Sequence, residues 1–493
     1  MLLLGLDIGT SSIKASVVDA DSQQTIISTS FPETESAIIS THPGWAEQSP
    51  AMWWDHVQGA ILKANASKKY DPKDIGAIGI SYQMHGLVCI DKNKNLLRDS
   101  IIWCDSRAVE IGNNAFDSIG HAKCLQHLLN SPGNFTASKL AWVKQNEPGI
   151  YSRIDKIMLP GDYIAMQLTG NLTTSISSLS EGVFWDFLAD ELSEDVFEHY
   201  GFSTSFIPEI KNVFSDHGRL DAKIAALLSL KEGIPVAYKA GDQPNNALSL
   251  NVLEPGEVAA TAGTSGVIYG VSDALTFDPL SRINTFAHVN YTAAQKRLGV
   301  LLCINGTGIL NRWMKNITGS NTSYQQMNKD ADKINIGSDG VLILPFGNGA
   351  ERMLENKIPG AQIENLDLNV HTSAHLFRAA QEGIAFAFRY GFDIMRENKM
   401  NPAIIRAGKA NMFLSDVFTE SFVNTLSIPV ELYNCDGSVG AALGAGIGAG
   451  VYANPKEAFS NFKALKIIEP GSVQEQYGEL YEKWKEVLQK HID

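Results

Sequence analysis

Apolar residues fall into two patterns along the chain. In the first, short apolar runs end abruptly in Gly, Asp or Asn. "LLLGLDI" at residues 2–8 is followed by Gly-Thr-Ser-Ser and then "IKASVVDA", two β-rich stretches around a turn, which predicts a β-hairpin. Runs of the same kind recur at "IGAIGIS", "GLVCID", "IPVAYKAGD", "EVAATAGTSG", "RLGVLLCING", "GVLILPF", "AIIRAG" and "IPVELYN". In the second pattern apolar positions return at helical spacing, as in "MWWDHVQGAILKANA", "TSAHLFRAAQEGIAFAFRYGFDIMREN" and "QEQYGELYEKWKEVLQKH". Strands alternating with helices predict an α/β protein.

One echo stands out at long range. "GLDIGTSSIK" near the start and "VAATAGTSGVIYG" in the middle both read as strand, Gly-Thr-Ser turn, strand. They lie about half a chain apart, as duplicated domains facing one cleft would place them. With 493 residues the chain is too long for one ordinary core. Two domains are expected, 1–245 and 246–493.

Composition narrows the function. A formal charge of -14, from 40 Lys+Arg and 54 Asp+Glu, argues against nucleic acid or an anionic membrane as the main partner. It does not exclude a nucleotide, whose phosphates are neutralised locally by backbone N–H groups and Mg²⁺. Five cysteines, scattered and without C-x-x-C spacing, suggest neither a disulfide framework nor a zinc site and fit a reducing cytoplasm. The opening apolar run has no basic leader and is cut short by Asp7, so neither secretion nor membrane anchoring is expected.

Candidate chemistry sits at the turns. In "DIGTSS", Gly9 allows tight backbone geometry while Thr10 and Ser11 offer donors suited to phosphate oxygens, and Asp7 could hold a hydrated Mg²⁺; an ordinary hairpin turn would use the same residues. Lys14 is either a phosphate contact or an exposed strand lysine. The second turn, residues 261–266, repeats the chemistry with Gly263 and Thr264. No G-x-x-x-x-G-K-[ST] segment is present, so a P-loop kinase is not supported. Asp242 closes the run "IPVAYKAGD", where α/β proteins tend to place working residues. It reads either as a base for a hydroxyl during phosphoryl transfer or as a helix N-cap.

Taken in order, "GLDIGTSSIK", "GWAEQSPAMWW", "GISYQMHGLVCID", "IIWCDSRA", "KLAWVKQNEP", "LPGDYIAMQLTG", "AGDQPNNALSL" and "ATAGTSGVIYG" resemble the FGGY carbohydrate kinases, and within them the xylulokinases. The resemblance spans nearly the whole chain. It implies two actin-like (ribonuclease H-like, ASKHA) domains with a central cleft, sugar held mainly by the N-terminal one and ATP by the C-terminal one. By position it implies Asp242 as catalytic aspartate and Asp7 near Mg²⁺ and the transferred phosphate. Met84 and His85 match the Gln-Met-His-Gly sugar contact of xylulokinases, while Trp103 and Asp105, buttressed by Arg107, either line the same site or form a core Trp beside an ion pair. On the ATP side it implies Gly9, Thr10, Ser11, Gly263, Thr264, Gly308, Gly408 and Lys409.

The sequence departs from the family pattern in three places. Arg406-Ala407-Gly408 replaces a Gly-Gly-Gly run and Ala410-Asn411 an Arg-Ser pair. Gln243-Pro244-Asn245 follows the aspartate where Asn-Ala is common, which shifts the expected sugar-contacting amide to Gln243 or Asn245. Asn365 and Gln381 stand where glycine and an aliphatic residue are typical. The expectation is thus an ATP-dependent kinase of a ketopentose, D-xylulose first, working as a cytoplasmic homodimer without nucleic-acid or membrane partners. Another polyol acceptor, or a non-catalytic sugar sensor on the same fold, are the alternatives.

Overall fold

The computed structural model describes residues 1–318 and 322–492. Its first sheet contains β1 (Leu2–Ile8), β2 (Ile13–Asp19), β3 (Thr25–Phe31), β4 (Ile75–Tyr82) and β5 (Val236–Gly241), in the order β5-β4-β1-β2-β3. β1 and β2 form the expected antiparallel hairpin, while β4 and β5 add in parallel on the other side. Strand alternation sends Leu2, Leu4, Leu6 and Ile8 to one face, against α1 (Pro50–Ala66) and α2 (Pro160–Thr169). Both faces are covered, so the strands read as continuous apolar runs.

The last residue of β5 leads straight into α3 (Asp242–Ser249), and the expected division at 245/246 falls inside this helix. The chain then builds a second sheet from β6 (Val258–Ala262), β7 (Gly266–Ser272), β8 (Asn284–Ala287), β9 (Leu298–Ile304), β10 (Ile405–Gly408), β11 (Val430–Tyr433) and β12 (Lys466–Ile468). Its order is β8-β9-β7-β6-β10-β11-β12. Without the edge strands β8 and β12 this repeats the first sheet: an antiparallel hairpin, a third antiparallel strand beside it, and two parallel strands opposite. The echo between the two Gly-Thr-Ser turns is therefore a repeated topology. α4 (Gly308–Thr318) follows β9, and α5 (Ser373–Glu397) and α6 (Asp416–Leu426) cover the outer face of this sheet. Two expected strands lie outside both main sheets: Val88–Ile90 pairs with Lys156–Met158, and Leu342–Phe346 with Gly360–Glu364.

α7 (Gly437–Gly448) leaves β11 and returns to the first sheet. Its sequence, "GSVGAALGAGIG", is almost all small residues, and the strands beneath carry glycines to match. A Cβ on Gly5 would sit 1.8 Å from the Ser438 carbonyl oxygen, and one on Gly79 1.9 Å from that of Ala441. Only glycine lets backbone approach backbone this closely. α3 and α7 pack on each other between the two sheets, and α8 (Gln474–Ile492) closes the far side of the second.

Candidate active site

The alternation that buries Leu2, Leu4 and Leu6 on one face puts Leu3, Gly5 and Asp7 on the other, where α7 begins. Asp7 Oδ1 accepts the Ser81 hydroxyl at 2.8 Å, and a Cβ on Gly437 would lie 2.8 Å from Asp7 Oδ2. Asp242 stands as the first residue of α3, with Gly241 as its N-cap and no side-chain cap, so the alternative of Asp242 as N-cap does not hold. Burial, followed by the Asp7 charge, pushes the Asp242 carboxyl up to about 7, against hydrogen bonds from Gln243. Burial raises Asp7 as well, with the Ser81 hydroxyl opposing.

Both carboxylates line a cavity of about 310 Å³. Gly9 and Ser81 come to it from the first sheet, Gln243 from α3, and Thr261 and Gly408 from the second sheet. A second cavity, about 770 Å³, shares Ala262 and Asn411 with the first and is lined by Gly263, Thr264 and Gly308. Here the second Gly-Thr-Ser turn meets the start of α4: Gly308 N donates to the Gly263 carbonyl at 2.9 Å, and Ile309 N to that of Thr264 at 3.1 Å. Eight of the expected residues, Asp7, Gly9, Asp242, Gln243, Gly263, Thr264, Gly308 and Gly408, thus border one continuous groove.

Met84 packs against Gly241, the residue before Asp242, and neither Met84 nor His85 lines either cavity. A Cβ on Gly241 would lie 2.7 Å from Met84 Cγ. His85 adopts a left-handed backbone (φ 63°), and Lys139 Nζ holds the turn by donating to the carbonyls of His85 (2.9 Å) and Ile102 (3.0 Å). His85 Nδ1 lies 2.9 Å from the Glu181 carbonyl oxygen, which can only accept, so Nδ1 carries the proton and Nε2 is left as an acceptor. Burial, with Lys139 adding to it, lowers this imidazole to about 3, so it is neutral at physiological pH. Phe135 and Phe286 pack on its ring. Glu181 is itself buried: Oε1 accepts the Tyr82 hydroxyl at 2.7 Å, Oε2 lies 3.9 Å from His85 Nδ1 and has no hydrogen-bond partner among the described residues, and burial raises its proton affinity well above the ordinary range.

Several expected residues sit elsewhere. Asp105 is wholly buried and does not line the groove; its carboxylate accepts from Ala46 N (2.5 Å) and from the Arg107 guanidinium (2.7 Å), so the ion-pair reading is the one the structure realises. Trp103 is exposed, and its indole N–H donates to the Thr10 hydroxyl, which in turn donates to Gln83. Thr10 and Ser11 line neither cavity. Lys409 points to solvent beside the groove, its backbone N bonded to Tyr433. Lys14 pairs with Asp436 at 2.9 Å. Sequence reasoning missed Asp436, although "YNCDGSVG" is a third strand, acid, Gly-Ser turn and helix start. It also missed Lys139, an inconspicuous cation in a quoted motif.

A model of the FGGY family of carbohydrate kinases, N-terminal domain, matches residues 2–249. The chain belongs to the FGGY family of carbohydrate kinases. It is 30% identical over 414 residues, 82% of each protein, to a xylulose kinase of Haemophilus influenzae. Among solved structures it resembles a xylulose kinase from Rhodospirillum rubrum (25% identity, TM-score 0.88, 99% of both chains). It also shares its fold with a gluconate kinase from Lactobacillus acidophilus (21% identity, TM-score 0.90, 100% and 98% of the two chains). As an FGGY carbohydrate kinase it is a sugar kinase, and its repeated sheets are the two actin-like domains of that fold. Among the described residues no helix is long and apolar enough to cross a membrane.

Proposed function

We propose that this sugar kinase transfers the γ-phosphoryl of ATP to the primary hydroxyl of a ketopentose, D-xylulose, forming the 5-phosphate, with Asp242 as general base. One observation carries the reading. Asp242 has no ion-pair partner among the described residues, lies in the field of Asp7, and opens on a cavity lined by strand ends of both domains. A carboxyl raised to about 7 is poised near working pH, where a base both exists in its ionised form and takes a proton readily. Phosphoryl transfer asks the protein mainly for alignment and charge neutralisation. The larger cavity has room for a nucleoside, and the Gly263–Thr264 turn at the junction of the two cavities suits the triphosphate between nucleoside and base.

Magnesium fits the same place. No three metal-ligating side chains converge among the described residues, so the protein does not cage an ion alone. Mg²⁺ commonly keeps waters and takes one or two carboxylates plus substrate phosphates, a set that Asp7 completes. Bound there, it would neutralise phosphate charge. The neutral His85, presenting Nε2 as acceptor, orients the sugar by one of its hydroxyls, and closure of the domains excludes water from the carboxylate pair.

A coupled assay of ADP release over D-xylulose, D-ribulose, gluconate and glycerol tests the acceptor. D-xylulose is expected to lead by kcat/KM, by about 10-fold or more. A different acceptor in first place overturns the ketopentose assignment.

A further inference from the structure

The two halves of the groove are opposite in charge. The smaller cavity is lined by Asp7, Asp242 and Asp436 with a single cation, Lys14, which Asp436 already engages at 2.9 Å. The larger is lined by Arg312 and Lys315 and, among the described residues, by no carboxylate. In a chain with a formal charge of -14, that is a local reversal of the whole-molecule field. Among the described residues Arg312 is the one arginine that lines either cavity.

Both cations stand on α4. Gly308, Arg312 and Lys315 are spaced i, i+4, i+7, which sets them in a row along one face of the helix. The row is anchored at its start. Gly308 N and Ile309 N donate to the carbonyls of Gly263 and Thr264, and Leu310 N donates to that of Thr307 at 3.0 Å. A Cβ on Gly308 would lie 2.3 Å from the Gly263 carbonyl oxygen, so turn and helix are in backbone contact. These bonds spend the first N–H groups of α4 on protein carbonyls, and this helix start therefore does not hold an anion by its backbone as helix N-termini commonly do. Positive charge beside the turn has to come from side chains. Arg312 lies one helical turn, about 6 Å, beyond Gly308, and helical side chains lean back toward the N-terminus, which carries its guanidinium toward the Gly263–Thr264 turn.

The two cations differ in what occupies them. Lys315 Nζ sits 4.8 Å from the centre of the Tyr324 ring, which lines the same cavity from the helix Tyr324–Ala331. Arg312 is exposed and makes no hydrogen bond, ion pair or ring contact to another described residue. A guanidinium free to present its planar fork matches phosphate oxygens. We infer that Arg312 is a donor-specificity residue that binds the non-transferred phosphates of the nucleotide, those nearer the nucleoside, while Lys315 is held against Tyr324 as part of the nucleoside wall. This rests on the proposed seat of the nucleotide in the larger cavity and is independent of which sugar accepts the phosphoryl group.

The test is the affinity for ADP and for adenosine, measured without acceptor by calorimetry, adenosine by displacement of ADP, in the wild type, Arg312→Gln, Arg312→Lys and Lys315→Gln. Arg312→Gln should weaken ADP by about 10-fold and leave adenosine within about 2-fold, with Arg312→Lys in between because an ammonium keeps the charge and loses the fork. Raising KCl from about 0.05 to 0.5 M should weaken ADP less in Arg312→Gln than in the wild type. Lys315→Gln should weaken both ligands alike, by about 3-fold or less. Equal losses for ADP and adenosine in Arg312→Gln, or no loss of ADP affinity, overturn the inference; a loss confined to ADP in Lys315→Gln overturns the division between the two cations. If Arg312→Gln lowers Tm, Arg312→Lys carries the comparison. A wild type that binds no ADP overturns the nucleotide reading of the cavity itself, and Arg312 falls with it.

Discussion

α3 and α7 leave equivalent points of two equivalent sheets, each after the outer of the two parallel strands, and each begins with an acid at the groove. Their carboxylates differ in everything else. Asp436 is the N-cap of α7, accepting Ser438 N at 2.9 Å and Lys14 Nζ at 2.9 Å. Although burial works against it, Ser438 and Lys14 hold its carboxyl below the ordinary range. Asp242 has Gly241 as N-cap, Asp7 for a neighbour and no ion-pair partner among the described residues, and is pushed up to about 7. Topology delivers an acid to both places, and the neighbours decide which one can exchange a proton near neutral pH.

The widest gap should appear in turnover. Asp242→Asn removes a base and leaves its shape, and is expected to lower kcat by about 10²–10⁴-fold with ADP binding retained. Asp436→Asn removes an acid already held in its ionised form and should lower kcat by no more than about 10-fold. Comparable losses in the two variants, read by steady-state kinetics, would end the distinction between the helices.

A second contrast is in pH dependence. The base works ionised, so acceptor kcat/KM should rise with pH along a limb near 7 and flatten above it. Asp7→Asn removes a negative neighbour and should move the limb of the residual activity to lower pH. Stability must run the other way. A carboxyl whose folded value is raised favours folding fully below its unfolded value, about 3.9, and loses that contribution as pH rises through about 7. Asp242→Asn should therefore raise Tm at pH 8, by roughly 2 °C or more, and leave it unchanged near pH 4. A Tm gain that is equal at both pH values would mean that the Asp242 charge is not the strained element.

How much of this was legible in the sequence follows from the range of each signal. The β1–β2 hairpin, the Gly-Thr-Ser turns and Asp242 at a strand end depend on neighbours within a few residues, and all were readable. So was the duplication, because turn chemistry repeats with topology. The return of α7 was not, since its signal is a match between small residues in "GSVGAALGAGIG" and glycines at 5 and 79, more than 350 residues away. Asp105 misled for a related reason: an acid two residues before an arginine reads equally well as a ligand contact or an ion pair, and only its burial against Ala46 separates the two.

The smallest effect belongs to the pair that quiets Asp436. Lys14 and Asp436 are both partly exposed, at 46% and 30%, so the ion pair is screened and Lys14→Met should cost under about 1 kcal/mol in urea unfolding. Its charge still acts across the groove, since Lys14 lowers the proton affinity of Asp7 as well as that of Asp436. Removing it makes the carboxylate cluster more negative, so each remaining acid, Asp242 included, holds its proton to higher pH. The acid limb of acceptor kcat/KM in Lys14→Met should then move up, opposite in sign to Asp7→Asn, by less than one pH unit because part of the field is lost to solvent. If both variants moved the limb the same way, the charges around α7 would not be what sets the proton on α3.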